Sequence, residues 1–336
     1  MRVGLLAYGA IGDEHNRAVQ GVPDWQVSAV CDVNPDRIAA ALRLAPEATS
    51  FWDAQEMMDS GLVDLVVVST PPNTHYRWAH AALERGLHVV LEKPMALSTQ
   101  ECDELLALAD ERGRLLVVYQ NRRFDPDYLA MRQVVRDGLI GELFAYEGFV
   151  GGYSRPCDYW HSDAVVSGGA IFDWGSHYID QILDLMGTDI AHVTGANHKR
   201  HWHHVTNADH AEVTMTYADG RQARFINSDL AATRKPKFLA LGTKGAIVGQ
   251  WDPAAEPAVA DLPARIFVQL PDQEPAEVSP VEQEPFGFHR ELAEFLRSGA
   301  TMEVRPIQSR NVVAVMEAAE RSAASGSMPV KPDLVA

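Results

Sequence analysis

An apolar strand that runs into a glycine turn and then a helix constrains this chain more than anything else in it. Val3 to Ala7 leads into Tyr8-Gly9-Ala10-Ile11-Gly12, and a helical pattern starts at the second glycine. Such a turn gathers backbone N–H groups and a helix N-terminus at one point, which suits a pyrophosphate. Gly9 lets the backbone approach it, Ala10 and Ile11 carry amides of the turn, and Gly12 lets helix close on strand. Ala7 stands where the usual pattern has its first glycine, and the turn is expected to accept it with a negative φ. The next strand, Val27 to Cys31, ends at Asp32, 20 residues past Gly12, where a carboxylate accepts hydrogen bonds from an adenosine ribose. NAD is therefore expected over NADP, whose 2′-phosphate Asp32 repels, while Arg37 leaves room for both.

The alternation continues through the first third. Leu65 to Ser69, His88 to Leu91 and Leu115 to Tyr119 read as buried parallel strands. Helices are expected at Pro35 to Leu44, Ala54 to Ser60, Asn73 to Arg85 and Ser98 to Arg112, the last with Ser98 and Glu101 as a capping box. The expected class is α/β, with a doubly wound parallel sheet first. After Tyr119 longer strands with period-two patterning appear at Leu143 to Gly151, Ala211 to Tyr217, Gln222 to Ser228 and Phe238 to Leu241. An Asp219-Gly220 hairpin signal joins two of them, and this points to an antiparallel sheet. Pro253 to Pro285 reads as loops with one edge strand near Arg265 to Leu270, and helices near Phe286 to Ser298 and Ile307 to Ser325 finish the chain.

At 336 residues and 46% hydrophobic, the chain can bury a large core and favours two domains. A net charge of −17 argues against a nucleic-acid partner. The chain shows neither a charged leader with an apolar core nor an apolar run long enough for a membrane helix, so a cytoplasmic protein is expected. Cys31, Cys102 and Cys157 have no short spacing and are expected to be reduced.

Three further features carry candidate chemistry. Ser69-Thr70-Pro71-Pro72-Asn73-Thr74-His75 follows a strand at the carboxyl edge of the sheet, where ligands bind in such folds, and equally reads as a proline turn with a helix cap. Glu92-Lys93-Pro94 ends another strand and presents an ammonium there, aimed by a proline that is a candidate for a cis peptide and fixes its direction. In Gly168-Gly169-Ala170-Ile171-Phe172-Asp173-Trp174-Gly175-Ser176-His177-Tyr178-Ile179-Asp180, a helical reading stacks Asp173, His177 and Asp180 on one face. An imidazole between carboxylates is a tunable proton carrier.

Taken in this order, with His15 after the glycine turn and Asn121-Arg122-Arg123, these motifs resemble the family of glucose-fructose oxidoreductase, inositol dehydrogenase and the MocA rhizopine-catabolism protein, over essentially the whole length. The resemblance implies a Rossmann domain over 1–120 and an α/β domain over 121–336. The second domain has an open, mostly antiparallel sheet, the active site lies between the two, and the C-terminal helices pack back near that interface. Lys93, Asp173 and His177 match the family's catalytic positions. In alcohol oxidation His177 takes the hydroxyl proton as hydride leaves for nicotinamide, Lys93 stabilises charge on the same oxygen, and Asp173 binds a neighbouring hydroxyl or orients His177. The implied cofactor contacts are Gly9, Ala10, Ile11, Gly12, Asp32, Arg37, Ser69, Thr70, Pro71, Asn73, His75, Glu92, Lys93 and Gln120. The aromatic and polar run Tyr153 to His161 suits a carbohydrate or cyclitol, with Lys93, Arg122, Tyr153, Arg155, Trp160, Asp173 and His177 as substrate contacts. Arg122, Arg123 and Arg155 leave open a carboxylate or phosphate on that substrate. An open sheet of this kind also implies a homodimer or homotetramer.

His198, His201, His203, His204 and His210 crowd one segment with Trp202, but neither Cys nor a close acidic residue completes a ligand set. No metal is expected there, and a structural or interface role is. Against an NAD(P)-dependent dehydrogenase of polyols stand two alternatives. One is a glycosidase that uses bound NAD for transient oxidation; the other is a non-enzymatic dinucleotide-binding regulator, against which Lys93, Asp173 and His177 argue together.

Overall fold

The computed structural model describes residues 1–252 and 262–335, and their contacts divide into two compact units. The first comprises Met1–Gln120 and Glu284–Arg310, the second Asn121–Gln283 and Asn311–Ala336.

In the first unit, strands and helices alternate as β1 (Arg2–Leu6), α1 (Gly12–Gln20), β2 (Gln26–Cys31), α2 (Pro35–Leu44), β3 (Thr49–Phe51), α3 (Ala54–Asp59), β4 (Leu65–Val68), α4 (His75–Glu84), β5 (His88–Leu91), α5 (Thr99–Arg112) and β6 (Leu116–Val118). All six strands are parallel, in the order β3-β2-β1-β4-β5-β6. This is the doubly wound order, and its chain reversal lies between β1 and β4. Valine and leucine fill the central strands because both faces are covered: every residue of β4 is buried. Local signals end the helices where the sequence places them. Asn34 accepts the N–H of Asp36 before α2. Ser98 accepts the N–H of Glu101 before α5, which closes at Gly113 in a left-handed conformation.

The second unit opens with α6 (Pro126–Arg136), β7 (Leu143–Gly151), α7 (Ala164–Ser167) and α8 (Gly175–Met186). Seven more strands follow: β8 (Ile190–His198), β9 (His210–Tyr217), β10 (Gln222–Ser228), β11 (Phe238–Gly242), β12 (Ala246–Gln250), β13 (Arg265–Gln269) and β14 (Ala276–Val278). Their order is β14-β13-β12-β11-β7-β10-β9-β8, antiparallel except where β10 pairs with β7. The strand expected at an edge, β13, lies one place inside, covered by β14. The part of the expected loop segment over 253–261 lies outside the described residues. α9 (Gly287–Ser298) belongs to the first unit, whereas the sequence places all of 121–336 in the second; Phe288 and His289 of α9 pack on Tyr119, with centroids 4.8 and 5.1 Å away. α10 (Pro306–Ala324) begins in the first unit and continues from Asn311 in the second.

One face of the large sheet is dry. The alternating burial of β9 shows it, and α8 lies on β7 and β10 with nearly every residue buried. Gly148 makes the seating possible, since a methyl there would stand 2.5 Å from the Tyr178 ring of α8. The opposite face, where self-association is expected, is half-buried and carries Glu147, Glu212, Arg224 and Lys235 in ion pairs. Cys31 and Cys102 are buried thiols, and burial pushes Cys31 up to about 11.

Candidate functional site

The dinucleotide turn sits at the switch point of the parallel sheet. Ser69 N–H donates to Leu6 O, so the loops after β1 and β4 leave the sheet side by side. Gly9 faces open space: a methyl there would meet nothing within 4 Å. Gly12 instead accommodates the Tyr8 ring, 2.9 Å from where its Cβ would stand. Ala7 departs from expectation, because its φ is +68° rather than negative. The reversal between strand and helix requires the left-handed conformation whatever residue occupies it, and a side chain pays about 1–2 kcal/mol there. Ala7→Gly is accordingly expected to stabilise the protein by about 0.5–1 kcal/mol, after allowing for glycine's larger unfolded-state entropy. Urea unfolding of the two proteins measures this, and a lower midpoint for Ala7→Gly would count against it.

Asp32 is 4% exposed and accepts N–H groups from Tyr8 (2.7 Å) and Asn34 (2.8 Å), which ties the turn to the end of β2. The Arg37 guanidinium lies 3.8 Å away with half its side chain in solvent. Thr70 and Pro71 are cross-linked by the Thr74 hydroxyl, while Asn73 is exposed. His75, expected beside the cofactor, is instead 1% exposed, with one ring nitrogen 2.7 Å from Pro94 O and the other 2.8 Å from Thr70 O. It clamps the Thr70 loop to the one that follows β5, and burial lowers its pKa. That second loop holds Glu92, Lys93 and a cis Lys93–Pro94 peptide. Glu92 meets His15 Nε2 at 2.9 Å, and His15 Nδ1 meets His289 Nε2 at 3.1 Å, both histidines being buried. Burial, followed by the neighbouring His15, holds His289 well below the usual histidine range. The consistent assignment has neutral His289 donating to His15 and His15 donating to the Glu92 carboxylate. Lys93 N–H also points at Glu92, at 3.3 Å, and Gln120 is buried at the end of β6.

In the second unit Asp173 and His177 do not share a helix. Gly168 and Gly169 have φ of +89° and +107°, the chain turns through Ala170 to Trp174, and α8 starts only at Gly175. Asp173 therefore precedes the helix and lines a cavity of about 340 Å³ with Arg155, Tyr159, His161, Trp174, Asn207 and Asp229, among others. His161 Nδ1 stands 3.7 Å from its carboxylate. His177, 5% exposed, lines a much smaller adjoining pocket with Arg122, Asp125 and Lys237; Trp174 is a wall of both. Asp180 is removed from the cluster altogether. It pairs with Arg123 through two bonds of 2.6 and 2.9 Å, both side chains 1% exposed.

The other expected substrate contacts divide. Trp160 stacks on His161 at 3.6 Å and so backs the larger cavity's wall. Tyr153 is 53% exposed and forms an isolated bridge with Leu230. Arg122 pairs with Asp125 at 3.4 Å and lies over Trp174. Asn207, Asn227 and Asp229 were not anticipated, because two separate segments, the loop before β9 and the end of β10, bring them to the cavity and no local spacing marks them. Burial, then the charge of Asp209, pushes Asp229 up to about 6.

The histidine-rich segment is a folded loop. Asp209 is 1% exposed and accepts from the N–H groups of Arg200, His201 and Trp202 and from Lys199 Nζ; these override burial and hold its carboxyl far below the ordinary range. His198 and His210 face each other across β8 and β9 with centroids 5.7 Å apart. Among the described residues no group of three His, Cys, Asp or Glu is arranged to hold a metal ion.

The open approach at Gly9, the helix N-terminus beyond it and the carboxylate at the end of β2 fit a dinucleotide. These features define a dinucleotide-binding domain, and the second unit carries a polar cavity walled by an acid and an imidazole. Residues 1–120 match the model of an oxidoreductase family with an NAD-binding Rossmann fold, and residues 128–248 match the GFO/IDH/MocA C-terminal domain. The chain belongs to this GFO/IDH/MocA family of oxidoreductases. It is 28% identical over 340 residues to scyllo-inositol 2-dehydrogenase (NADP(+)) IolW of Bacillus subtilis, covering 96% of this chain and 93% of that protein. Over 210 residues it is 29% identical to inositol 2-dehydrogenase/D-chiro-inositol 3-dehydrogenase of Lactiplantibacillus plantarum, 62% of this chain and 58% of that one. An NAD-binding protein from Listeria innocua shares the fold, with a TM-score of 0.84 at 23% identity, covering 98% of this chain and 96% of that chain. Among the described residues no helix is long and apolar enough to cross a membrane.

Proposed function

We propose that this protein is an NAD(P)-dependent dehydrogenase or ketoreductase that moves a hydride between nicotinamide and a carbinol carbon of a sugar, cyclitol or related polyol, with NAD preferred. The observation that carries the reading is the polar cavity walled by Asp173, which shares Trp174 as a wall with the pocket of His177. The inositol dehydrogenases among the relatives support the substrate class.

A bound nicotinamide dinucleotide supplies the two-electron acceptor. His177 takes the proton of the reacting hydroxyl and returns it in the reverse direction. Lys93 donates a hydrogen bond to the same oxygen and stabilises the charge that develops on it. Asp173 accepts a neighbouring hydroxyl and so fixes which carbon reacts. The Glu92, His15 and His289 chain holds the backbone from which Lys93 projects. Preference for NAD rests on Asp32, whose carboxylate repels a 2′-phosphate more than the exposed Arg37 attracts one.

A panel of sugars and polyols offered with NAD and with NADP, followed by absorbance of the reduced nicotinamide, tests both parts. Turnover of at least one polyol with a higher kcat/KM for NAD is the expected result. No absorbance change with any member contradicts the reaction, and tighter binding of NADP with Asp32 intact contradicts the cofactor preference.

A further inference from the structure

Asp229, directly after β10, is a carboxyl for which the cavity of Asp173 is the only evident use. Its backbone is fully engaged: the N–H donates to Asp209 O at 2.8 Å, and the carbonyl accepts from Ser154 N–H and Trp202 Nε1–H at 3.2 Å each. Among the described residues no hydrogen bond or ion pair reaches its side chain, which lines the cavity wall. Main-chain anchoring thus holds a carboxyl at the cavity without taking up its oxygens.

The cations around it are committed elsewhere. Arg155 gives its guanidinium to both oxygens of Asp158, at 3.0 Å each. Lys199 is held by Asp209 and the carbonyl of Asn207. Arg122 and Arg123 are paired with Asp125 and Asp180 and do not line this cavity. His161 also lines the cavity but stands 3.7 Å from Asp173, so Asp229 is the carboxyl whose charge the lining leaves unpaired, and whether the cavity takes an acidic or phosphorylated substrate turns on it.

We propose that Asp229 is a specificity-determining residue of this cavity, accepting hydroxyl groups of uncharged polyhydroxy compounds and turning away their acidic and phosphorylated counterparts. The inference rests on the polyol reading above. Hydroxyls of a neutral ligand donate to a carboxylate, whereas a ligand anion finds a like charge that the cavity does not neutralise; discrimination of this kind is built from repulsion as much as from attraction. Burial and the charge of Asp209, which raise Asp229, mark the same shortage of positive charge.

The test measures kcat/KM for the best neutral substrate of the panel and for its acid or phosphate, such as glucose against glucuronate and glucose 6-phosphate, or myo-inositol against its monophosphate. Wild type, Asp229→Asn and Arg155→Ala are compared. Wild type is expected to favour the neutral member, and Asp229→Asn to narrow that ratio about tenfold, chiefly through a lower KM for the anion, as a screened unit charge a few ångströms away allows. Unchanged thermal melting shows that Asp229→Asn is folded, and Asp229→Ser repeats the measurement with a smaller side chain. A ratio unmoved in both variants, a wild type that favours the anion, or a ratio set by Arg155 and not by Asp229 overturns the inference while leaving the polyol reading in place. Failure of every neutral substrate in wild type instead overturns the polyol reading, and this inference with it.

Discussion

His177→Ala lowers kcat by about 10²–10⁴-fold, the span that a positioned general acid–base group contributes, with a much smaller change in KM. The imidazole is 5% exposed and stands in the first turn of α8, whose residues are almost all buried, so its position is set by packing and not by solvent. Removing it leaves the hydroxyl proton without an acceptor. It does not touch the glycine turn or Asp32, so dinucleotide affinity measured by fluorescence titration stays within about twofold, as expected when only a transition-state contact is lost. Lys93→Ala is expected to give a loss of similar order from its proposed role in stabilising charge on the reacting oxygen. Equal rates for wild type and His177→Ala under saturating substrate would sink the assignment.

Arg123→Ala destabilises the second unit by about 3–5 kcal/mol, the cost of leaving buried charge uncompensated. Arg123 and Asp180 are each 1% exposed and share two hydrogen bonds, while Asp184 joins at 3.3 Å and also accepts from Tyr128. Truncating the arginine removes both bonds to Asp180 and one partner of Asp184, which keeps Tyr128 and Arg132. Arg123→Lys recovers little of the loss, because a point charge cannot reproduce the two-pronged contact. The network also predicts a pH dependence. Burial alone would raise the Asp184 carboxyl, but Arg123, Tyr128 and Arg132 hold it below the ordinary range. A group depressed in the folded state stabilises above its unfolded pKa, and that contribution is lost as pH falls through the folded pKa. Urea unfolding at neutral pH and at decreasing acid pH follows both effects; a loss under about 1 kcal/mol for Arg123→Ala would show that the pair is not what holds α8 in place.

What the amino-acid order revealed, and what it concealed, follows from the range of the forces involved. The strands His88–Leu91, Leu143–Gly151 and Gln222–Ser228 and the helix Pro35–Leu44 begin and end where the sequence places them, because caps, turns and apolar runs act within a few residues. Three-residue β3 and β14 escaped, being too short to show a period, and the longer β8 and β12 were not anticipated either. Helical spacing put Asp173 and Asp180 beside His177, yet it could not see that α8 starts two residues after Asp173. Nor could it see that Asp180 answers an arginine 57 positions away. Asp229 was invisible for the same reason, since a cavity assembled from separate segments leaves no local pattern. The sign of φ at Ala7 is the opposite case: the position was recognised, but the geometry of the turn outweighed the preference of the residue.

The central claim is that a carbon-bound hydride leaves a polyol for nicotinamide while its hydroxyl proton leaves for His177. The most direct measurement offers wild type a polyol deuterated at the reacting carbinol carbon and follows the label together with the yield of reduced nicotinamide. The account predicts one labelled NAD(P)H for each molecule of ketone or lactone formed, with a primary isotope effect that persists, on a much slower rate, in His177→Ala. Cleavage of a glycoside with no net reduced nicotinamide would contradict it and point to the transient-oxidation chemistry instead.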